Sequence, residues 1–375
     1  MVGQIKRGIQ DFIGAARPSI ADPFLPAKIR DGREDEIREC IGCNICRAAN
    51  NEGVHLRCTQ NPTIAEEWRR GWHPERIATY ARREKVLIVG AGPAGLEAAL
   101  SLGRRGLEVA LADKGEKPGG RIISESALPG LSTWARVRDW RLHMIAKLPN
   151  VELFPGSEMT AVDCSEFGAD HVLLATGSQW RRDAIGTVNL TPLDLPRALT
   201  PDDVFAGAAV HGPVIIFDDE HYFMGGALAE KLRLAGHEVT LVTTHATASS
   251  WTAMTDEHPF VQTRLLESGV KIVTSRLLAE HAKNSVRLAC AFTARQSELP
   301  CGTLVLVTGR TPDDRLYTEL MAKSRPFTIN RIGDCLQPST IADAVYSAHR
   351  FAREFGDSEV SEVPRRERPA EKNVA

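Results

Sequence analysis

KVLIVGAGPAGLEAALSLGRRGLEVALAD, residues 85–113, is the stretch that decides the fold. It opens with the apolar run KVLIVG, continues with AGLEAALSLGRRG, whose apolar residues recur at helical spacing, and ends with LEVALAD. Short apolar runs on either side of an amphipathic helix are typical of parallel strands in an α/β sheet. Gly90-x-Gly92-x-x-Gly95 lies between the first strand and the helix, where a glycine-rich turn lets the backbone approach a pyrophosphate. The stretch therefore predicts a Rossmann-like nucleotide-binding domain.

The acidic residue that ends the second strand predicts which nucleotide binds. Asp113 lies twenty-three residues after Gly90, where a carboxylate can bind ribose hydroxyls and disfavours a 2′-phosphate. This favours FAD, ADP or NAD over NADP. Ala175-Thr176-Gly177 and Gly333-Asp334 are typical of two-domain flavoprotein reductases. The candidate nucleotide-site residues are Gly90, Gly92, Pro93, Ala94, Gly95, Asp113, Lys114, Gly120, Arg121, Thr176, Gly177, Gly333 and Asp334.

A second strand–helix–strand unit begins at PVIIF (213–217) and continues with GALAEKLRLAG (226–236) and HEVTLVT (237–243). Its glycine-rich turn is missing, and Asp218, Asp219 and Glu220 stand where a pyrophosphate would lie. Carboxylates there repel a phosphate and fill its space. We expect a domain that keeps the nucleotide fold but has lost NAD(P)H binding. The alternative is that Gly225-Gly226 hold the phosphate instead.

Four cysteines, Cys40, Cys43, Cys46 and Cys58, lie within nineteen residues. Three thiolates at C-x2-C-x2-C spacing can bind three corners of a cubane, and a fourth from a nearby loop completes it. Zinc is the alternative, but its sites usually contain two separated C-x2-C pairs. The spacing therefore predicts a 4Fe–4S cluster. The scattered cysteines, Cys164, Cys290, Cys301 and Cys335, are expected to be small buried hydrophobic residues.

Composition indicates a globular protein: 43% of residues are hydrophobic, 25% are charged and the formal net charge is −2. Near-neutrality gives no electrostatic reason to expect nucleic acid or an anionic membrane as partner. No apolar run approaches the ~18 residues that a membrane span requires, and the N-terminus has no apolar signal region. We expect a cytoplasmic protein.

The predicted fold class is α/β, with two Rossmann-like domains, the second inserted in the first. We divide the chain into a segment preceding the cysteines (1–39), the cluster segment (40–84), the first nucleotide domain (85–205 and 302–355), the degenerate second domain (206–301) and a flexible tail (356–375). In the cluster segment, Arg69, Arg70, Trp72 and His73 are expected to pack against the nucleotide domains.

The strings CIGCNIC, CTQNPT, EEWRRGWHPE, VLIVGAGPAGLEAA, EVTLV, LVTGR and IADA carry a resemblance to a known family. Over about residues 7 to 355 the chain resembles the C-terminal half of the trimethylamine, dimethylamine and histamine dehydrogenases, iron–sulfur flavoproteins related to 2,4-dienoyl-CoA reductase. In that family, an FMN-binding β/α barrel oxidises an amine. Electrons then pass through the 4Fe–4S cluster to an electron-transfer flavoprotein, and the nucleotide domains hold ADP or FAD.

The resemblance also implies what lies outside this sequence. IGAARPSIADPFLPAKI (13–29) is similar to the last strand and helix of the barrel, and about seven of its eight βα units are absent. A lone βα unit cannot close a barrel, because its strand would have two unpaired edges. The resemblance thus implies an FMN-binding barrel in a partner chain that pairs with residues 1–39, and Arg17 matches the family's FMN-phosphate arginine. A surface role for Arg17, or a truncated gene product, is the alternative.

The sequence favours an electron-transfer subunit that relays electrons from a flavin in its partner through the cluster, with ADP as a structural nucleotide. No residue of this chain is then expected to be catalytic toward the substrate. One alternative is a self-contained reductase, with FAD in the first site and NAD(P)H in the second. The other is a non-catalytic remnant that folds around ADP.

Overall fold

The computed structural model describes residues 2–357 of the chain. From residue 358 onward, the predicted flexible tail lies outside the described residues. Within residues 2–357, each helix is too short or too polar to cross a lipid bilayer.

Helices and irregular segments precede the first strand. They are α1 (Val2–Lys6), α2 (Ala16–Ala21), α3 (Leu25–Arg30) and α4 (Ile45–Asn51). Residues 2–84 form no strand, so the barrel strand expected within residues 1–39 is not present in the part of the chain described. An isolated strand would expose two unpaired edges. Instead, the segment is held by the buried ion pair of Lys28 with Asp22, 2.7 Å long, and by a further pair of Lys28 with Glu75.

From Lys85 onward, strands and helices alternate. The first stretch contains β1 (Lys85–Val89), α5 (Pro93–Arg104), β2 (Glu108–Ala112), α6 (Ile122–Glu125), α7 (Arg136–Ile145), β3 (Val151–Phe154), α8 (Ala161–Glu166), β4 (His171–Leu174), β5 (Ser178–Trp180) and α9 (Pro201–Phe205). The second contains β6 (Val214–Asp218), α10 (Met224–Leu234), β7 (Val239–Thr243), α11 (His258–Glu267), β8 (Lys271–Val273), β9 (Arg276–His281), β10 (Ser285–Cys290), β11 (Gln296–Pro300) and β12 (Thr303–Val307). The third contains β13 (Arg310–Pro312), α12 (Arg315–Met321), β14 (Thr328–Arg331) and α13 (Ile341–Glu354). Short 3₁₀ turns occur at Glu34–Glu36, Ser132–Ala135, Ser250–Ala253 and Gly333–Cys335.

The first sheet has the order β14–β4–β1–β2–β3, and every neighbouring pair is parallel. Its central strand β1 is buried on both faces, with Val86, Leu87 and Ile88 at 0% exposure. Parallel sheets covered on both sides need such continuous apolar strands, which explains the run KVLIV. Parallel strands also end at one edge of the sheet, so the residues that follow β1, β2 and β4 are brought together.

The second sheet is formed by the chain that runs between β5 and β13. Its order is β12–β6–β7–β8, again with parallel neighbours. The strands β9, β10 and β11 form a separate antiparallel sheet, and β13 returns to pair antiparallel with β5. Both parallel sheets are therefore Rossmann-like, and the second unit is inserted in the first.

One strand lies in a different sheet from the one that the sequence division implied. The first nucleotide domain was expected to resume at residue 302, yet β12 lies in the second sheet, where Leu304 pairs with Ile215 of β6. All five residues of β12 are buried. An apolar strand of this kind fits the middle of either sheet, because its pattern contains no information about its partner.

The cluster segment packs against the last helix, as predicted. Arg70 forms an ion pair with Glu354 of α13 at 2.7 Å. Trp72 is buried against the rings of Tyr346 and His349. The backbone oxygen of His73 accepts a hydrogen bond of 2.6 Å from Arg353, and Arg69 pairs with Glu66 of the same segment.

Candidate functional site

The glycine-rich turn after β1 is set by two close backbone approaches. Gly90 has φ +105°, and a Cβ there would overlap the carbonyl oxygen of Ala175 at the end of β4. A Cβ on Gly95 would overlap the carbonyl oxygen of Gly90. Gly92, the residue before α5, has no atom within 4 Å of its Cβ position. The turn is thus packed on its protein side and open in front of the helix N-terminus, as an anion site requires.

Asp113 holds the same turn at the end of β2. Its Oδ2 accepts from the backbone N–H of Ala91 at 2.5 Å, and its Oδ1 accepts from Gly115 at 2.7 Å. A carboxylate oxygen can accept a second hydrogen bond. Asp113 also lines the cavity described next, so it can bind ribose hydroxyls while it fixes the turn.

A cavity of about 880 Å³ begins at this turn. Most of the predicted nucleotide-site residues line it: Gly90, Gly92, Pro93, Ala94, Asp113, Lys114, Gly120, Arg121, Thr176, Gly177 and Asp334. Gly95 and Gly333 are not among its lining residues. Gly333, with φ +59°, packs so closely on Ala94 that a Cβ would lie 2.7 Å from that side chain. These two glycines allow the close packing behind the cavity wall, but they do not line the cavity themselves.

Two arginines of the cavity wall are already held by protein groups. Arg121 pairs with Asp202 at 2.6 Å and donates to the backbone oxygen of Ser178 at 2.7 Å. Arg310 pairs with Asp334 at 2.5 Å. Both guanidinium groups are thereby fixed, and each keeps further N–H donors for an anionic ligand.

The four cysteines of the cluster segment share one neighbourhood. The pKa of the Cys43 thiol responds to the charges of Cys58 and Cys40, that of Cys46 responds to Cys40, and that of Cys58 responds to Cys46. Gly42, with φ +73°, donates its N–H to Cys40 Sγ at 3.4 Å, and Cys43 Sγ lies 3.1 Å from the hydroxyl of Thr59. The loop backbone thus donates hydrogen bonds to sulfur, which is common around iron–sulfur clusters.

Burial raises the pKa of the Cys43 thiol to about 12 and also raises those of Cys46 and Cys58. These thiols are therefore neutral at pH 7 until a bound metal supplies positive charge and displaces their protons. Within residues 2–357, no three His, Cys, Asp or Glu side chains form a group that could hold a single metal ion. A cubane differs from a single ion in that each thiolate binds a different iron, which needs more widely spaced sulfurs.

The cavity connects the nucleotide turn with the cysteines. At its far end it is lined by Ile41, Cys43, Ile45 and Thr59 from the cluster segment. Four aromatic side chains also line it: Trp134, Phe223, Tyr222 and Trp251. Consecutive rings in this order contact one another at centroid distances of 4.7, 5.0 and 4.6 Å. A ligand that extends beyond the pyrophosphate would meet aromatic rings on one side and Cys43 on the other.

Among the carboxylic acids that line this cavity are Glu125 and Glu220. Glu125 is only 5% exposed, and its nearest cation, Arg121, is 3.9 Å away. Burial raises its pKa to about 7. Burial, together with the charge of Asp218, raises the pKa of Glu220 to about 7 as well. Both groups can gain or lose a proton near neutral pH.

In the second domain, acidic side chains occupy the place of a glycine-rich turn. Asp219 is fully buried and accepts hydrogen bonds from Thr244 Oγ1 at 2.6 Å and from the N–H of Asn189 at 2.7 Å. Asp218, also buried, accepts from the N–H of His221 at 3.0 Å. A Cβ on Gly225 would overlap the Asp218 carboxylate.

The alternative phosphate site at Gly225-Gly226 has no space beside it. Both glycines are buried inside α10. Asp218 packs on the first, and a Cβ on Gly226 would lie 2.7 Å from the hydroxyl of Ser249. The space beside these glycines is occupied by protein side chains, which leaves none for a phosphate.

Arg17 lies apart from the cavity, beside the cysteines. It is exposed, donates to Asn44 Oδ1, and its charge lowers the pKa of Cys46 against the larger effect of burial. The structure places Arg17 next to the cluster segment. Its contact with an FMN phosphate stays a prediction.

Four wall residues were not predicted from the sequence: Glu125, Trp134, Tyr222 and Trp251. Glu220 was predicted only as part of the second domain. None of the five lies in a recognisable nucleotide motif. Arg310, in contrast, is part of the string LVTGR, which could have identified it.

Comparisons with known proteins show the family to which the chain is similar. A family profile described as pyridine nucleotide-disulphide oxidoreductase matches residues 84–334. Dimethylamine dehydrogenase from Hyphomicrobium sp. (strain x) is 38% identical over 395 aligned positions, which cover 96% of this chain and 54% of that protein.

Two solved structures are also similar. Histamine dehydrogenase from Rhizobium sp. 4-9 is 42% identical with a TM-score of 0.93, over 98% of this chain and 60% of that one. 6-Hydroxypseudooxynicotine amine oxidase from Pseudomonas geniculata N1 is 43% identical with a TM-score of 0.92, over 95% and 54%. The chain spans about half the length of the curated relatives it matches.

An added methyl group is expected to have different effects at two glycines of the turn. Gly95→Ala places a Cβ against the Gly90 carbonyl and should lower the free energy of unfolding by about 1–3 kcal/mol or more. Gly92→Ala, whose Cβ position is empty, should change stability little. Thermal unfolding of both variants checks this, and equal midpoints would contradict the packing described for the turn.

Glu125 predicts a pH-dependent stability. Its folded pKa of about 7 exceeds the usual value of 4.5, so its favourable contribution is complete below pH ~4.5 and is lost as the pH rises through 7. Glu125→Gln should therefore stabilise the chain at pH 8, by at most about 3 kcal/mol, with a much smaller gain at pH 5. The control is Glu158→Gln, an exposed residue of the same cavity. A gain for Glu125→Gln that is independent of pH would contradict the assigned cause.

Proposed function

The chain belongs to the pyridine nucleotide-disulphide oxidoreductase family and matches about half of dimethylamine dehydrogenase, and on this premise we propose that it is an electron-relay component of a related iron–sulfur flavoprotein. Cys40, Cys43, Cys46 and Cys58 would hold the 4Fe–4S cluster, and the Gly90 turn would hold ADP or FAD. The cluster supplies one-electron transfer when bound. The protein residues bind the nucleotide, hold the four sulfurs together and exclude water from them.

One observation carries the proposal: Cys43 forms part of the wall of the cavity that begins at the nucleotide turn. Cys43 and the nucleotide turn therefore border the same space, although Cys43 and Gly90 are 47 positions apart in the sequence. Thr59 and the aromatic rings around Cys43 leave it partly buried. A site for storing and passing on electrons needs such shielding, because solvent access alters the potential of a cluster.

We further propose that substrate oxidation takes place outside these 375 residues, on an FMN-binding barrel that contacts residues 1–39. Three features support this. The relatives are about twice as long as the chain. Ile9 and Phe12 expose 62% and 89% of their surface, which a partner would cover. Arg17 lies between this segment and Cys46. An electron-transfer flavoprotein would be the acceptor.

The length of the cavity is consistent with part of one alternative, the self-contained reductase. Its extension past Arg121 to Cys43 leaves room for the flavin of FAD, whereas ADP would end near the pyrophosphate turn. FAD in this position suits a self-contained reductase of the 2,4-dienoyl-CoA reductase type. Such an enzyme would also need NAD(P)H in the second domain, where Asp218 and Asp219 occupy the space of a phosphate. We therefore retain the relay as the main proposal, with ADP or FAD as the nucleotide.

Anaerobic purification tests the cluster directly. The chain should contain about four irons and release ADP or FAD on acid treatment. Cys43→Ser should lose most of the iron, whereas Cys164→Ser, at a fully buried cysteine far along the sequence, should keep it. Zinc in place of iron, or equal iron in the two variants, would refute the assignment of the cluster.

Bleaching of the visible spectrum by different reductants distinguishes the proposed electron relay from the self-contained reductase. Dithionite should bleach the iron-loaded chain, while NADH and dimethylamine should not, because neither a nucleotide site in the second domain nor an amine pocket is present in this proposal. Bleaching by NADH would favour the reductase, and bleaching by dimethylamine alone would place substrate oxidation within the chain. A chain that binds ADP but no iron would favour the non-catalytic alternative.

A further inference from the structure

One peptide unit links Cys58 to two buried arginines. The peptide joins Gln60 to Asn61 and begins two residues after Cys58. Its carbonyl oxygen accepts hydrogen bonds from Arg38 at 3.2 Å and from Arg141 at 3.3 Å. The peptide therefore follows Cys58 closely in the chain and has two guanidinium groups at its acceptor end.

The two arginines differ in how their charge is balanced. Arg141, at 0% exposure, pairs with Glu97 at 2.8 Å, so its charge is largely neutralised. Arg38, at 4% exposure, forms no ion pair among residues 2–357. It lies 4.5 Å from the centre of the Trp140 ring and donates to Asn61 Oδ1 at 3.2 Å, and its Nε has no hydrogen-bond partner there. Arg38 is thus a buried cation without a direct ion-pair partner among these residues, and it shares only at longer range in the charge of Glu97, whose pKa it helps to lower.

A buried, unpaired cation is costly unless an anion lies nearby. A cluster held by four thiolates is an anion, and it gains one further negative charge on reduction. Guanidinium groups on a carbonyl oxygen polarise the peptide, which makes its N–H a stronger hydrogen-bond donor. Charge and N–H donors near the sulfurs are two of the factors that set the potential of a cluster. The nearby positive charge and the N–H donor both favour the reduced form of the cluster, so their effects on its potential have the same sign.

We propose that Arg38 is a positioning residue that raises the reduction potential of the cluster, acting through the Gln60–Asn61 peptide on Cys58. This rests on the proposed function, since it requires the cluster. Arg141 and Glu97 keep the peptide in place: Arg141 also donates to Gln60 Oε1 at 2.9 Å, and Glu97 lies 2.8 Å from His349 Nδ1 of α13. In this proposal, Arg38 provides the positive charge, and the Arg141–Glu97 pair holds the Gln60–Asn61 peptide in position.

A potentiometric titration of the iron-loaded chain, followed by its visible spectrum, tests the proposal. At a fixed solution potential, Arg38→Met should lower the ratio of reduced to oxidised cluster about tenfold, which is a fall of about 59 mV in the midpoint of a one-electron couple. Arg38→Lys, which keeps the charge, should restore most of the loss. Arg104→Met is the matched control, because Arg104 lies over the same Trp140 ring, at 5.9 Å, but does not contact Gln60.

Iron content is measured first, so that two failures can be told apart. A wild-type chain without iron would refute the proposed cluster. An iron-loaded Arg38→Met chain whose midpoint moves no more than that of Arg104→Met would refute the role of Arg38 alone. If Arg38→Met does not bind iron, Arg38→Gln is titrated instead, since it keeps a donor for the peptide oxygen without the charge. An unchanged midpoint in Arg38→Gln would likewise overturn the proposal.

Discussion

The ion pair between Arg141 and Glu97 is the interaction on which the arrangement of this molecule depends. It joins α7 to α5, while His349 extends it to α13 and Gln60 extends it to the cluster segment. Burial alone would raise the pKa of Glu97, but the charge of Arg141 and the contact with His349 outweigh it and hold the pKa at about 2. Removal of one partner from such a pair leaves an uncompensated buried charge and typically costs about 3–5 kcal/mol. The cluster segment is therefore attached to the nucleotide domain by an interaction that tolerates little displacement.

This attachment explains why the candidate cluster and nucleotide sites share a cavity. With Gln60 fixed, the adjacent loop places Thr59 and Cys43 beside the edge where the strands of the first sheet end. The second domain completes the enclosure with Tyr222 and Trp251. Its contribution is independent of any nucleotide of its own, because Tyr222, Phe223 and Trp251 come from the segments after β6 and β7. A domain whose phosphate space is filled by its own carboxylates still has a structural role in the first site.

The sequence predicted local features well and non-local ones poorly. The glycine turn and Asp113 were identified because strand, turn and helix are adjacent in sequence and their spacing is set by the ligand's geometry. The sheet of β12 was missed, since an apolar strand does not specify its neighbours. Glu125 and Glu220 were missed as cavity residues because their roles arise from burial, which brings together positions almost a hundred residues apart. The barrel strand was inferred from resemblance, and without partner strands such a segment has no hydrogen-bonded edge to join.

The charges around the cysteines are distributed unevenly, and this asymmetry has a physical consequence. Arg38 lies on the side of Cys58, whereas Glu125 and Glu220 line the cavity that Cys43 borders, together with Arg121 and Arg310. Charges in a weakly polarisable interior interact over longer distances than in water. Ionisation of the two carboxylic acids, with pKa values of about 7, adds negative charge to the cavity that Cys43 borders. In the proposed relay, protonation of these acids would therefore make electron uptake easier, while Arg38 stabilises negative charge on the side of Cys58.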